Sequence, residues 1–323
     1  MMERNKSIDI IRALCALEII AFWHLCDYTV KPLNDEWNYI GSILTMISLG
    51  CFSYISGFCL QKYQFRRFED VTQFYKKRVI RIYPLFFVSA LSLYVAGFIT
   101  SSSWFHDSSQ FVLTIFGLTP LVPPTVGTLW YISMAIFFYL ITPILKWGGY
   151  QRYGYLFCTL LYLLLIGVHV VTQKAFVDEK LLFYYPAYVF GLYSNQNLSR
   201  RMVIISSVLF AVMIIGLNIN SSLLKIAPFT ALLICSVIPA LRWSSSLIES
   251  NGKIVRIATL ISYSSMAAYL FHRHIYTIAQ LVIGNGEKRF VTLCSGVILV
   301  MFVFSISYFI QKCYDLLSNR VNI

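Results

Sequence analysis

The sequence predicts an all-α fold, a polytopic membrane helix bundle of about ten transmembrane helices, and three observations carry that prediction. Of 323 residues, 58% are hydrophobic and 12% charged, with a mean hydropathy of +0.69, a balance that soluble domains of this size do not show. The apolar residues come in long runs at 8–28, 39–60, 82–100, 126–145, 154–172, 182–194, 202–218, 223–241, 257–283 and 290–311, most of them long enough to cross a bilayer. The net charge of +12 lies between these runs rather than in one patch. It therefore reports membrane topology and excludes nucleic acid as the partner.

The first run is apolar enough to span, yet it carries Asp9, Arg12, Glu18 and His24. Ionisable groups near a bilayer centre cost about 2.5 to 3.5 kcal/mol each even on insertion scales, so these four face protein or a wet cavity and mark a functional site. The structural alternative for Asp9 and Arg12 is a pair anchoring the helix end, since they are three residues apart. The basic start, Met1 to Lys6, precedes no small-residue cleavage pattern, so the run is expected to remain as a signal anchor. After the second run comes the longest polar connection, Gln61 to Arg81, with Arg66, Arg67, Lys76, Lys77, Arg78 and Arg81. The segment 110–123 is too short to cross and holds Gly117 and Pro120, so it is predicted to be re-entrant or interfacial.

Charge counting supports that choice. With ten spans and the N-terminus inside, cytoplasmic segments hold 18 of the 26 Lys and Arg and outer loops 6; an eleventh span at 110–123 would leave 14 against 10. Both termini are then cytoplasmic. The eight cysteines form no Cys-x-x-Cys pair, so neither a metal site nor a disulfide framework is implied. No internal repeat is evident and every loop is small, which makes residues 1–323 a single integral membrane domain whose chemistry must use the bundle itself.

Several motifs occur in a specific order. They are Asp9-Ile-Ile-Arg12-Ala leading to His24, Ser56-Gly57-Phe58, Phe74-Tyr-Lys-Lys-Arg78-Val-Ile-Arg81-Ile-Tyr-Pro84, Leu129-Trp130-Tyr131 with Tyr139 and Pro143, Tyr185-Pro186 with Phe190-Gly191, and Ser262-Tyr263 leading to Tyr269-Leu-Phe-His272. Together these resemble the integral membrane acyltransferase family three over nearly the whole chain. The resemblance implies a membrane O-acyltransferase, in the usual case an O-acetyltransferase. It moves an acyl group from cytoplasmic acetyl-CoA or another acyl-CoA, a co-substrate rather than a resident cofactor, to a hydroxyl of a cell-surface or lipid-linked glycan. It also implies the plasma membrane, a bacterial inner membrane, as the location. The competing class is a transporter or flippase of a lipid-linked or small polar solute, since intramembrane Arg, Glu and His also mark transport pathways. Against it stand the Arg78-x-x-Arg81 pair and the lack of paired repeats.

Two departures from the family pattern matter. Arg12 and His24 are twelve residues apart where eleven is usual, and at 3.6 residues per turn twelve leaves His24 about 120° off the Arg12 face. A π-bulge between them would absorb the extra residue, so the spacing predicts either such a bulge or a partner for His24 on another helix. At Met134-Ala135-Ile136 the acidic residues of members with an additional outer domain are missing, which suits the short, single-module branch.

Acyl transfer to a hydroxyl needs a base, and histidine is the side chain matched to that task near neutral pH. The chain has His24, His106, His169, His272 and His274. His106 falls in an outer loop, and His169 reads as a surface or packed histidine. His24 and His272 lie at nearly the same depth, about sixteen and fifteen residues into their helices, and are the catalytic candidates. His24 is expected to be the base, and His272, with Arg273 nearby, to position the acceptor or offset charge on the acyl oxygen. Arg78 and Arg81, three apart at the cytoplasmic mouth of the third run, are the candidates for the phosphates of the donor, with Arg12 guiding it from the same side. Trp130 and Tyr139, with Arg273, are candidate acceptor contacts. Glu18 is expected to balance a cation and to have no catalytic role.

Overall fold

The computed structural model of the chain describes residues 6–30, 34–100, 105, 107–147, 151–193, 233, 238, 243, 245, 248–284 and 289–320. His106 and nearly all of the runs at 202–218 and 223–241 lie outside the described residues. Within them every regular element is a helix. α1 (Lys6–Leu17) continues directly into a π-helix (Glu18–His24), followed by α2 (Asp35–Phe58), α3 (Phe68–Thr100), α4 (Ser108–Ile115), α5 (Trp130–Leu145), α6 (Gln151–Val171), α7 (Glu179–Tyr193), α8 (Gly252–Val282) and α9 (Leu293–Arg320).

Among the described residues five segments are long and apolar enough to cross a membrane: Asp35–Phe58, Phe68–Ala96, Tyr153–Val171, Gly252–Val282 and Cys294–Ser318. The fold is thus all-α with several membrane spans, and within the described residues five of the ten apolar runs form such long helices. α5 and α7, at 16 and 15 residues, fall short of the roughly 20 that a straight crossing needs.

Local chemistry sets the helix starts. Asn34 accepts from Trp37 N at 3.0 Å, Asp107 from Gln110 N at 2.7 Å and Asn251 from Ile254 N at 3.2 Å, so α2, α4 and α8 each begin on a capping side chain. Asp70, near the start of α3, takes Arg66 N and Arg67 N at 3.0 Å each, which is the carboxylate half of a capping box.

The segment predicted to be re-entrant or interfacial forms α4, about 12 Å long at 1.5 Å per residue, and then an irregular chain that buries Thr119 and Val126. Gly117 turns that chain with φ +69°, and a side chain there would also strike Ile136 at 2.7 Å. Gln110 donates to Pro124 O and Ser133 to Thr114 O, the latter a carbonyl that also takes Gly117 N at 3.0 Å, so side chains tie the irregular chain and the end of α4 to their surroundings.

The chain forms two compact units, one of Met1–Phe52 with Ala240–Ile323 and one of Ser53–Pro239. In the first, α1 lies along α8 through small residues, Ala13 against Ala258, and a core of Ile20, Leu25, Tyr28, Tyr276, Val291 and Val303 closes one end. Small residues let helices approach where lipid offers no hydrophobic drive to associate. Adjacent residues of α8 tie it to both neighbours: Ser262 donates to Asp9 at 2.7 Å, and Tyr263 donates to Asp315. Asp9 therefore anchors α1 to α8 through Ser262, a contact beyond its own helix.

In the second unit the end of α2 crosses α7 backbone to backbone. A methyl on Gly57 would lie 2.1 Å from Tyr188 O, and one on Gly191 would lie 2.1 Å from Tyr54 O. Lys146, just past α5, is buried, donates to Gln61 O and lies 5.9 Å from the centre of the Tyr193 ring.

Candidate active site

The π-helix runs from Glu18 to His24, across the place where the twelve-residue spacing predicts a bulge. Six α-steps of 100° and then six π-steps of about 80° return His24 close to the Arg12 face. The wider turn disturbs the usual i to i+4 pairing, and Tyr276 of α8 donates to Ile20 O at 2.8 Å. The register of His24 is therefore held from outside its own helix.

That register carries His24 to His272. The Nδ1 of His24 lies 2.6 Å from the Nε2 of His272, and the ring centroids are 4.7 Å apart with planes 4° from parallel. A nitrogen contact that short between parallel rings places them edge to edge, joined by an in-plane hydrogen bond. His272 is fully buried while His24 is half-buried, so His24 is the member of the pair within reach of a substrate. Tyr269 and Tyr276 flank the His272 ring at 5.9 and 5.7 Å.

Arg273 donates to Asp27 Oδ2 at 2.9 Å, so its charge is already matched one turn beyond His24. The sequence reading missed Asp27 as that partner. The signal was present: Asp27 follows His24 by three residues and Arg273 follows His272 by one, which puts both beside the histidine pair. Glu18 accepts from Thr45 Oγ1 at 3.0 Å, and its other oxygen is buried with no partner. It faces α2 through a hydroxyl, where the sequence expected a cation. Arg12 is half-buried on α1.

The remaining candidates belong to the second unit. Arg78 is enclosed by aromatic rings, 5.7 Å from the centre of Tyr63, 5.4 Å from Phe74 and 5.4 Å from Tyr139. It lines a small apolar cleft with Tyr75, Val79, Ile82, Tyr139 and Leu140. Arg81 is exposed. Tyr139 thus offers its ring to a guanidinium, and Trp130 has Lys180 4.8 Å from its centre and Tyr184 stacked at 5.9 Å. His169 is packed, as expected, with Nδ1 2.6 Å from Val177 O.

The arrangement in the first unit can move one proton within a membrane-spanning bundle. The second unit supplies a caged cation. Comparison with known families finds that acyltransferase family 3, described as an acyltransferase domain, matches residues 5–311. No curated protein and no solved structure matches the chain.

Proposed function

This chain belongs to acyltransferase family 3, and on that premise we propose that it is an O-acetyltransferase of the plasma membrane. It takes acetyl from acetyl-CoA on the cytoplasmic side and delivers it to a hydroxyl of a cell-surface or lipid-linked glycan. The observation that carries this reading is the contact between His24 and His272 at 2.6 Å, within a unit that contains membrane-crossing helices.

A thioester needs little activation, so the enzyme's main task is to take the hydroxyl proton as the oxygen attacks. His24 is the base. Arg78 and Arg81 meet the phosphates of the donor, as charge-assisted contacts to a group that carries several negative charges, and Arg12 guides the donor along α1. On the acceptor side Arg273 and Trp130 are the contacts, while Tyr139 serves the donor by holding Arg78. The hydroxyl oxygen bonds to the acyl carbon, the carbon–sulfur bond breaks, and the thiolate leaves with the proton that the base gives back.

Membranes containing the wild-type chain, supplied with acetyl-CoA labelled in the acetyl group, should incorporate label into alkali-labile ester on the glycan fraction. Membranes with His24→Ala, at equal protein level, should not. Equal incorporation by the two would remove His24 from the chemistry, and no incorporation by the wild type with any acyl-CoA would remove the activity.

A further inference from the structure

We propose that His272 is a positioning residue, a buried neutral imidazole that fixes the tautomer of His24 and touches neither substrate; this rests on the acyl-transfer reading above. The hydrogens are placed by what surrounds each nitrogen. His272 Nδ1 lies 3.1 Å from Ala268 O and 2.8 Å from Tyr269 O. A carbonyl oxygen can only accept, so Nδ1 carries the hydrogen. The opposite tautomer would aim a lone pair at two oxygens. In a neutral imidazole the other nitrogen is then a bare acceptor, and Nε2 of His272 accepts from Nδ1–H of His24 across 2.6 Å. His24 is left with its hydrogen on Nδ1 and its lone pair on Nε2.

Two consequences follow. With both nitrogens engaged and the side chain fully buried, His272 has no donor to offer an acyl oxygen, so the acceptor or oxyanion contact expected from the sequence does not fit it. Its function is instead the one a carboxylate performs in a catalytic triad, holding the base in one tautomer and orientation. A carboxylate in this place would keep a net charge inside the membrane throughout the resting state, which is costly. A neutral imidazole is not charged at rest. When Nε2 of His24 takes the hydroxyl proton, Nδ1–H becomes a charge-assisted donor to His272. The oxygen then bonds to the thioester carbon, the carbon–sulfur bond breaks with its electron pair on sulfur, and the thiolate recovers the proton from Nε2. Ester and free thiol are the products, and no further reagent is needed.

The test uses the full chain with acetyl-CoA and the glycan fraction, comparing the wild type with His272→Ala and His272→Gln. His272→Ala should lower kcat about 10²- to 10⁴-fold, the range that general acid–base catalysis contributes, with both KM values held within about threefold. His272→Gln, whose amide oxygen can accept from Nδ1–H, should recover at least about tenfold of that loss. Nitrogen NMR of histidine-labelled wild-type protein should show His24 protonated on Nδ1. A rise in acceptor KM with kcat unchanged in His272→Ala, a folded His272→Gln no more active than His272→Ala, or His24 protonated on Nε2 would each overturn the proposal. If His272→Ala does not fold, His272→Gln and the wild-type spectrum decide. Failure of the wild type to transfer acetyl overturns the underlying activity instead, and the spectrum still reports on the pair.

Discussion

Arg78 is a cation held by rings rather than by a carboxylate. Three aromatic side chains lie within 5.7 Å of its guanidinium, and its buried Nε makes no hydrogen bond. Such contacts are worth about 0.5 to 2 kcal/mol depending on desolvation, and unlike a salt bridge they leave the charge unneutralised for a ligand. The planar guanidinium suits both the ring faces and a bidentate phosphate, whereas lysine is a compact point charge. We therefore expect Arg78→Lys to keep the local charge and still weaken the donor. Loss of one charge-assisted contact, about 1.5 to 3 kcal/mol, should raise the KM for acetyl-CoA roughly 10- to 150-fold in Arg78→Ala, with kcat changed less. Lys76→Ala, at an exposed position, serves as the control for simple loss of positive charge. An unaltered donor KM in the Arg78→Ala, Arg81→Ala double variant would show that these arginines only anchor the chain at the interface.

At the scale of the element, two interruptions of helical hydrogen bonding, in α7 and in the π-helix, are met by tyrosines of neighbouring helices. Pro186 inside α7 has no N–H, so the carbonyl four residues back, Leu182 O, loses its donor. Tyr162 of α6 supplies one at 2.7 Å. The π-helix is treated alike by Tyr276. In a bilayer there is no water to do this, so neighbouring side chains must. Tyr162→Phe should then cost about 0.6 to 1.7 kcal/mol, between the average and the maximum found for hydrogen bonds between membrane helices. In the Pro186→Ala background, where residue 186 donates for itself, the same change should cost little. A thermal-stability cycle on the four proteins checks this, and equal costs in both backgrounds would mean that Tyr162 acts by packing alone. These repairs also show where reading the sequence stops. The Arg12 to His24 spacing, one residue longer than the eleven of the family pattern, pointed to the π-helix, because once the two residues are expected on one face helical phase follows from sequence alone. Depth likewise put His24 and His272 level. The faces they present, the hydroxyls of Ser262 and Tyr263 on two different carboxylates, and the Gly57–Gly191 crossing depend on how separate helices rotate against each other, which periodicity within one helix does not encode.

Composition was enough for the fold class of the whole molecule, but the number of crossings rests on charge. The described residues contain five long apolar helices, and the ten-span arrangement adds α1 with its π-helix, the short α5 and α7, and two runs outside those residues. Its rival treats residues 110–123 as an eleventh span and inverts everything that follows. α4 is 8 residues long, far short of the roughly 20 a crossing requires, which agrees with the 18 to 6 distribution of basic residues in the ten-span count and the positive-inside rule. The two arrangements differ at Lys174, between α6 and α7, and at Lys312 near the end of α9, both exposed. With ten spans Lys174 faces outward and Lys312 inward, and with eleven the two exchange sides. Single cysteines placed at these positions in a cysteine-free background, treated in intact cells with a membrane-impermeant maleimide, separate the cases. Lys174→Cys should label at once, whereas Lys312→Cys, and Lys76→Cys as the internal control, should label only after lysis. The control lies ahead of the disputed segment, so it stays inside in either case. Labelling of Lys312→Cys in intact cells with Lys174→Cys protected would establish eleven crossings. It would also move the α6–α7 connection, with Lys180 over Trp130, to the donor side of the membrane.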